Sequence, residues 1–239
     1  MVLAPVEWLN VSVDWWEIER ENTIRGADLD TLIDYYDLFS ANWIRDASGE
    51  VVAIDRRYIN SGGSLMRGIE IDGNVMGELA GGSWRLNLNG SYINTFKTKA
   101  LEALPYTESL VGDYVRYYNL PIKWKHTLNF VWQKGDWAHT FSQIYRDGYN
   151  DELPISVRNG SYIPENWNPR VSNYTTYNYS LAYSGFDNMK LTFGVKNLTD
   201  EDPPFTAHMN DYAAGAGWET RIADPRGRAY SLLVEYKFR

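Results

Sequence analysis

Histidine is the side chain best suited to move protons near neutral pH or to hold a transition metal, and this sequence has three: His126, His139 and His208. None falls in a G-x-S-x-G, H-E-x-x-H, P-loop or dinucleotide pattern, the motifs that would give it partners at a chemical spacing. His126 and His139 sit on alternating rows that are otherwise apolar, near the ends of those rows, and His208 sits in a stretch without regular pattern. A Ser–His–Asp triad is a spatial arrangement that sequence spacing neither builds nor forbids. Nothing selects one here, so the sequence predicts no catalytic residue, no metal site, no cofactor and no enzyme. The absence of cysteine removes a disulfide framework and a Cys-based zinc site.

The informative spacing belongs to aromatic rings. Trp84 and Tyr92, Trp124 and Trp132, and Trp137 and Tyr145 are each eight residues apart, on the same parity of alternating apolar/polar segments. Eight steps of β-strand span roughly 26 Å, and at a tilt of about 40° roughly 20 Å of height, close to the apolar band of an outer-membrane barrel between its aromatic girdles. Composition agrees: 15% of residues are aromatic, with 18 Tyr and 10 Trp. Such rings, apolar in body and polar at one edge, suit a membrane–water interface. The longest unbroken apolar run is Met1–Ala4, so no helix crosses a bilayer. The negative mean hydropathy of -0.45 is what alternation produces, since only every second residue meets lipid. A net charge of -8 and no basic stripe argue against nucleic acid as a partner.

The elements that must position these rings read as eight strands. Trp84, Leu86, Leu88, Gly90 and Tyr92 share one face, and Arg85, Asn87, Asn89 and Ser91 the other. Comparable rows are Leu9, Val11, Val13, Trp15; Ile69, Ile71, Val75; Trp124, Leu128, Phe130, Trp132; the segment from Trp137 to Tyr145; Tyr177, Tyr179, Leu181, Tyr183; Leu191, Phe193, Val195; and Tyr230, Leu232, Val234, Tyr236, Phe238. Tight turns fall at Ala80-Gly81-Gly82, Lys134-Gly135-Asp136 and Gly185–Asn188, and long loops at about 21–49, 97–120, 147–173 and 199–226. Short turns on one rim and long loops on the other are the pattern of outer-membrane barrels, with the short turns and Arg239 in the periplasm. A soluble lipocalin-like barrel or β-sandwich also alternates, but it has no reason to bracket its strands with rings or to alternate its loop lengths. Within the first loop, Leu29, Leu32, Ile33 and Tyr36 fall at helical spacing, which predicts a short amphipathic helix on the rim, its acidic residues being a solvated face.

The last fifty residues carry a resemblance. Asn197-Leu198-Thr199-Asp200 with Pro203-Pro204, then Asp224-Pro225-Arg226-Gly227-Arg228, then Tyr236-Lys237-Phe238, resembles the end of TonB-dependent outer-membrane receptors. Asp14-Trp15-Trp16-Glu17-Ile18, Arg45-Asp46 with Gly49, Asn60, and Arg67-Gly68-Ile69-Glu70 resemble earlier parts of that barrel. Each piece also has a plain structural reading. Asn197–Asp200 ends a strand, and Pro203-Pro204, which cannot donate ladder hydrogen bonds, lifts the chain into a loop. Gly68 opens a place where a bulky lumen residue or the backbone approaches closely. Arg226 and Arg228 pair with lumen carboxylates or bind anionic lipopolysaccharide groups, the pairing being favoured.

The resemblance implies an all-β fold, an antiparallel transmembrane β-barrel segment of about eight strands. In isolation this would be an open, curved sheet with edges near Leu9–Trp16 and Tyr230–Phe238. The polar face, lined by Arg85, Asn87, Asn89, Lys125, Asn129, Lys190 and Lys196, would face the lumen. Receptors of this kind carry a plug domain and a TonB box ahead of a barrel of about 22 strands. Residues 1–239 contain neither, and Met1 is followed by no secretory signal, so the expectation is the C-terminal portion of a longer precursor. TonB would be reached only through the missing N-terminal part.

The remaining expected partners are outer-membrane lipid and lipopolysaccharide, the rest of the receptor, and the barrel assembly machinery. That machinery would read the insertion signal Tyr230, Leu232, Val234, Tyr236 and Phe238. The resemblance further implies import of a scarce solute such as a siderophore, cobalamin, oligosaccharide or peptide, bound by extracellular loops. Tyr106, Tyr149, Trp167, Tyr212 and Trp218 are the loop aromatics placed to stack on it. The alternative is a self-sufficient small outer-membrane barrel, a porin or an adhesin.

Overall fold

The computed structural model describes residues 1–26, 29–60, 62–115, 119–162, 168–208 and 217–238, without the side chains of Arg25, Asp30, Ile155 and Arg158. Nine strands make one antiparallel sheet in chain order. They are β1 (Val2–Val6), β2 (Leu9–Arg20), β3 (Gly63–Leu79), β4 (Gly82–Lys99), β5 (Trp124–Lys134), β6 (Trp137–Arg146), β7 (Tyr174–Phe186), β8 (Met189–Lys196) and β9 (Ala229–Tyr236). The sheet is open: β1 and β9 are its two edges and do not pair with each other.

One strand more is present than the alternation predicts, and the N-terminal edge is Val2–Val6 rather than Leu9–Trp16. Five residues containing Pro5 are too short to show a period, and Pro5, which lacks an N–H, is tolerated at a sheet edge where no partner needs it. The expected tight turns join β3 to β4, β5 to β6 and β7 to β8. Between β3 and β4, Ala80 (φ 53°) and Gly81 (φ 74°) both take left-handed backbone, as a two-residue hairpin of this twist demands. The long connections run over 21–62, 100–123, 147–173 and 197–228, the first much longer than expected because it carries hairpins of its own.

Register turns the sequence rows into faces. Trp84 lies directly opposite Trp132 and Tyr92 opposite Trp124, with Leu86, Leu88, Leu128 and Phe130 between them. Trp137 lies opposite Tyr183, their ring centroids 4.5 Å apart. The three aromatic pairs thus become two belts, Trp84, Trp132, Trp137 and Tyr183 near the tight turns and Tyr92, Trp124 and Tyr145 near the loops. The same face continues through Leu191–Val234, Phe193–Leu232 and Val195–Tyr230. Tyr230 and Leu232 are 66% and 69% exposed, so at this end the row is covered by no protein. Among the described residues no helix is long and apolar enough to cross a membrane.

The chain divides into two compact units. One comprises 1–16, 68–94 and 110–239; its core joins Ile122, Tyr149, Val171, Tyr174, Ile222 and Ala223, with Tyr114 and Leu120 packed against them. The loops returning between strands therefore bury their own apolar side chains.

The other unit, 17–67 and 95–109, pairs Ile24–Gly26 with Tyr58–Asn60 and Trp43–Arg45 with Val51–Ile54. Its core is Leu32 and Phe39 against Trp43, Ile54, Ile59 and Leu101. The predicted helix is present but only six residues long, Leu29–Asp34. Of its apolar set only Leu32 is buried, while Leu29, Ile33 and Tyr36 are 40%, 53% and 40% exposed. Six residues make under two turns, too few to bury a whole stripe.

Candidate functional site

The polar face is built by the residues alternate to the aromatic rows. Arg85, Asn87, Asn89, Lys125, Asn129, Lys190 and Lys196 share it, as the pairings Asn87–Asn129, Ser91–Lys125, Asn129–Ser142 and Lys190–Glu235 require. Cross-strand hydrogen bonds hold it. Asn89 Nδ2 donates to Asp72 Oδ1 (2.6 Å), Ser91 Oγ to Glu70 Oε1 (2.9 Å) and Ser142 Oγ to Asn129 Oδ1 (2.6 Å). Two cavities lie against this wall. One of about 240 Å³ is lined by Glu70, Ser91, Lys125 and Arg146 among others, and one of about 270 Å³ by Tyr174, Thr176, Lys196, Arg221 and Asp224.

The motifs of the resemblance do structural work at strand ends. Asn197 takes φ +51° and Asp200 φ +59°, and the Asn197 side chain exchanges hydrogen bonds with the Glu201 backbone, both 2.9 Å. Asp200 Oδ1 accepts the Arg228 N–H at 2.7 Å, tying the exit of β8 to the entry of β9. Arg226 chelates Asp224 through Nε (2.8 Å) and Nη2 (2.6 Å), and Lys196 reaches the same carboxylate at 2.8 Å. These cations hold the Asp224 carboxyl far below the usual carboxylate range, Arg226 contributing most. Gly68 accommodates a bulky neighbour as expected: a Cβ there would meet Trp16 Cζ2 at 2.4 Å and the Tyr92 carbonyl at 2.6 Å. In the other unit Arg67 pairs with Glu17, joining two motif residues far apart in sequence. Asp46 closes its hairpin on Ser48 Oγ (2.6 Å) and Ser48 N (2.8 Å).

The histidines divide into two kinds. His126 and His139 lie on the aromatic face, as their rows indicate. Trp124 Nε1 donates to His126 Nδ1 (2.8 Å), which leaves the hydrogen on Nε2 to donate to Gln143 Oε1 (3.1 Å). His139 Nδ1 contacts the Tyr179 hydroxyl at 2.8 Å. His208 is different: it is buried among Asp151, Thr206, Glu219 and Arg221, in loops that sequence spacing leaves unconnected. Ala207 N–H donates to Asp151 Oδ2 at 2.6 Å. Arg221 grips Glu219 by Nε (2.9 Å) and Nη2 (2.7 Å) and donates from Nη1 to the Val115 carbonyl (2.8 Å). Burial works to raise the Asp151 carboxyl but is outweighed by His208, the Ala207 N–H and Thr206, so it stays below the usual range. Glu219 is treated likewise, its burial outweighed by Arg221. Among the described residues no group of acidic and histidine side chains is arranged to hold a metal ion.

The loop aromatics are dispersed. Tyr149 is 1% exposed, its ring tilted against that of Tyr114 with centroids 6.4 Å apart, and burial pushes its hydroxyl up in pKa. It is a core residue and presents no surface to a ligand, a correction to its expected role. Its alternation with polar neighbours gave no hint of a loop core beneath it. Tyr106, in the second unit, is half-buried, donates to Glu19 Oε1 at 2.9 Å and lies under Lys99 Nζ. Trp218 is half-buried with its indole nitrogen unpartnered among the described residues. Trp167 and Tyr212 lie outside the described residues. Phe205 and Tyr162, 74% and 61% exposed, are loop rings of the first unit that the sequence reading passed over.

Comparison with known proteins addresses the fold. The chain is similar to the ferric enterobactin receptor PfeA from Pseudomonas aeruginosa, with TM-score 0.59 and 14% identity over 98% of this chain and 29% of that one. It is similar to the copper transporter OprC, with TM-score 0.57 and 15% identity over 98% and 30%. It is also similar to the siderophore receptor PiuA from Acinetobacter baumannii, with TM-score 0.53 and 19% identity over 97% and 26%. The chain thus spans 26–30% of the length of these structures. No curated protein matches the sequence. A family model described as TonB dependent receptor-like, beta-barrel matches residues 3–198, most of the chain, and with it the open antiparallel sheet, its aromatic belts and its polar face have one explanation: the chain belongs to the TonB-dependent receptor β-barrel family.

Proposed function

We propose that residues 1–239 are the C-terminal portion of the barrel of an outer-membrane receptor that imports a scarce solute by ligand gating and TonB coupling. The observation that carries this reading is the open sheet. Its nine strands present an apolar, ring-bounded face and a hydrogen-bonded polar face, yet both edges lack a partner strand. Unpaired backbone groups in hydrocarbon cost several kcal/mol each, roughly speaking, so in a membrane these edges call for further strands. A self-sufficient porin or adhesin of this size would join its first strand to its last. Partners on this reading are a plug and N-terminal barrel strands, TonB through the plug side, lipid and lipopolysaccharide on the aromatic face, and the barrel assembly machinery acting on Tyr230–Phe238.

The polar face with its two cavities would line the lumen. Phe205, Tyr162, Tyr106 and Trp218 are the candidate ligand contacts, together with Trp167 and Tyr212. A siderophore, cobalamin, oligosaccharide or peptide fits the aromatic character of these loops, and the solved relatives described as siderophore receptors and a copper transporter support a scarce-nutrient cargo. The test is uptake in the native host. Deleting the gene should abolish growth on one limiting nutrient source drawn from these classes, and deleting TonB should do the same. Uptake that persists without TonB, at a rate proportional to solute concentration, would show a passive pore instead.

A further inference from the structure

The loop end of the polar face carries two cations side by side. Lys125 on β5 and Arg146 on β6 are direct cross-strand partners, and on its other side Lys125 lies opposite Ser91 of β4. Both line the cavity of about 240 Å³, Lys125 exposed and Arg146 partly so. Like charges set directly opposite each other destabilise a sheet, so this pairing favours an anion between them. Farther from the loops the same face of β5 and β6 is uncharged: Thr127, Asn129 and Val131 continue on one strand, Ile144, Ser142 and Thr140 on the other.

Among the described residues of that lining Glu70 is the one carboxylate, and it accepts the Ser91 hydroxyl at 2.9 Å, which uses that hydroxyl's single proton. Asn89 is turned to Asp72 by its own 2.6 Å bond. The strongest donors of the lining are thus the Lys125 ammonium and the Arg146 guanidinium. A guanidinium presents paired N–H groups that match two oxygens of a carboxylate or phosphate, and an ammonium beside it supplies a further charged donor. The cavity has the volume of roughly eight waters, enough for such a group and the few atoms that attach it. Trp124, the residue before Lys125, belongs to the loop-side belt, so the pair stands where a solute entering past the loops first meets the wall.

We propose that Lys125 and Arg146 form an anion-binding rung at the loop end of the lumen wall, and that the rung takes a carboxylate or phosphate group of the imported solute. The inference rests on the reading of this chain as part of an importer, and it narrows the cargo to an acidic solute as opposed to an uncharged oligosaccharide. Cations at the entrance draw an anion in, and the uncharged stretch of wall beyond them lets it move on.

The test is lysine footprinting by mass spectrometry on the full receptor purified in detergent from native outer membranes. Citrate and inorganic phosphate serve as separate probes, with ionic strength held constant by sodium chloride. At least one probe should slow acetylation of Lys125 saturably and leave unchanged Lys190, which lies at the turn end of the polar face against Glu235. The probe that acts at lower concentration tells carboxylate from phosphate. Arg146→Gln should raise the concentration for half-protection about tenfold, the loss of one charge-assisted partner. Protection by neither probe, or protection unchanged in the variant, overturns the proposal. Lys125 that is already unreactive before any probe is added would show a carboxylate of the plug seated on the rung, which also overturns it. Should the variant fail to assemble, the wild type still decides through the contrast between Lys125 and Lys190. These readings need no TonB, so they stand apart from the uptake test: an indifferent rung in a TonB-coupled importer refutes only the rung, and a protected rung in a passive pore refutes only the importer.

Discussion

Gly90 lies beneath the ring of Trp124: a Cβ at Gly90 would stand 2.3 Å from Cη2 and 2.8 Å from Cζ2. The ring so seated donates its indole N–H to His126, whose own ring stacks on Tyr145 at 5.1 Å. One missing side chain on β4 thus allows the loop-side aromatic belt to lie flat across β5 and β6. Gly90→Ala should force the indole off its seat and cost about 1–3 kcal/mol, the usual range for overpacking. Gly73→Ala, where the nearest atom is the Leu88 Cβ at 3.9 Å, should be tolerated. Urea midpoints in a bilayer-refolding assay measure both, and equal effects would mean that Trp124 is free to move.

Facing can be tested with one charge at adjacent positions. Leu88 lies on the aromatic face midway between the belts, opposite Leu128, whereas Asn89 lies on the polar face and donates to Asp72. Leu88→Arg should destabilise the assembled barrel by about 2–4 kcal/mol, the cost of a cation near the bilayer midplane. Asn89→Arg gains Asp72 as a counter-ion and should cost far less. Equal tolerance in membrane refolding would reject the assignment of faces.

The loop cluster also has an acid limit. Asp151 and Glu219 are held below their ordinary values in the folded protein, so their contribution is complete above the unfolded carboxylate range and disappears as pH falls through the lowered folded values. Protection of the Ala207 amide, which donates to Asp151, should therefore fall in acid. Asp151→Asn should abolish the acid limb. Hydrogen exchange down the acid range provides the measurement, and protection that stays unchanged in acid in the wild type would contradict it.

The open edges predict the behaviour of the isolated chain. Leu3 on β1 and Leu232 on β9 belong to strands at opposite ends of the sheet order. Because the natural sequence lacks cysteine, the double substitution Leu3→Cys and Leu232→Cys gives an unambiguous reporter. No intramolecular disulfide should form in detergent or lipid, where the exposed edges should instead promote association between chains. A high yield of the intramolecular bond would show that nine strands close on themselves.

What the sequence determined by itself is everything that depends on a period of two. A strand turns successive side chains to opposite faces, so Trp84 to Tyr92 and Arg85 to Ser91 declare their faces without knowledge of any partner. Tight turns such as Ala80-Gly81 and the strand exit at Asn197 are equally local, because they require particular backbone angles. Tertiary structure decided which rows meet, and so made Trp84 the neighbour of Trp132 and Tyr92 of Trp124. It alone buried Tyr149, added the edge strand Val2–Val6 and brought His208 against Asp151 and Glu219. The hydrogen bond from Thr206 to Asp151 spans 55 residues of sequence. Contacts between loops follow no period, since they depend on where each strand happens to end and on which apolar side chains the returning loops must bury.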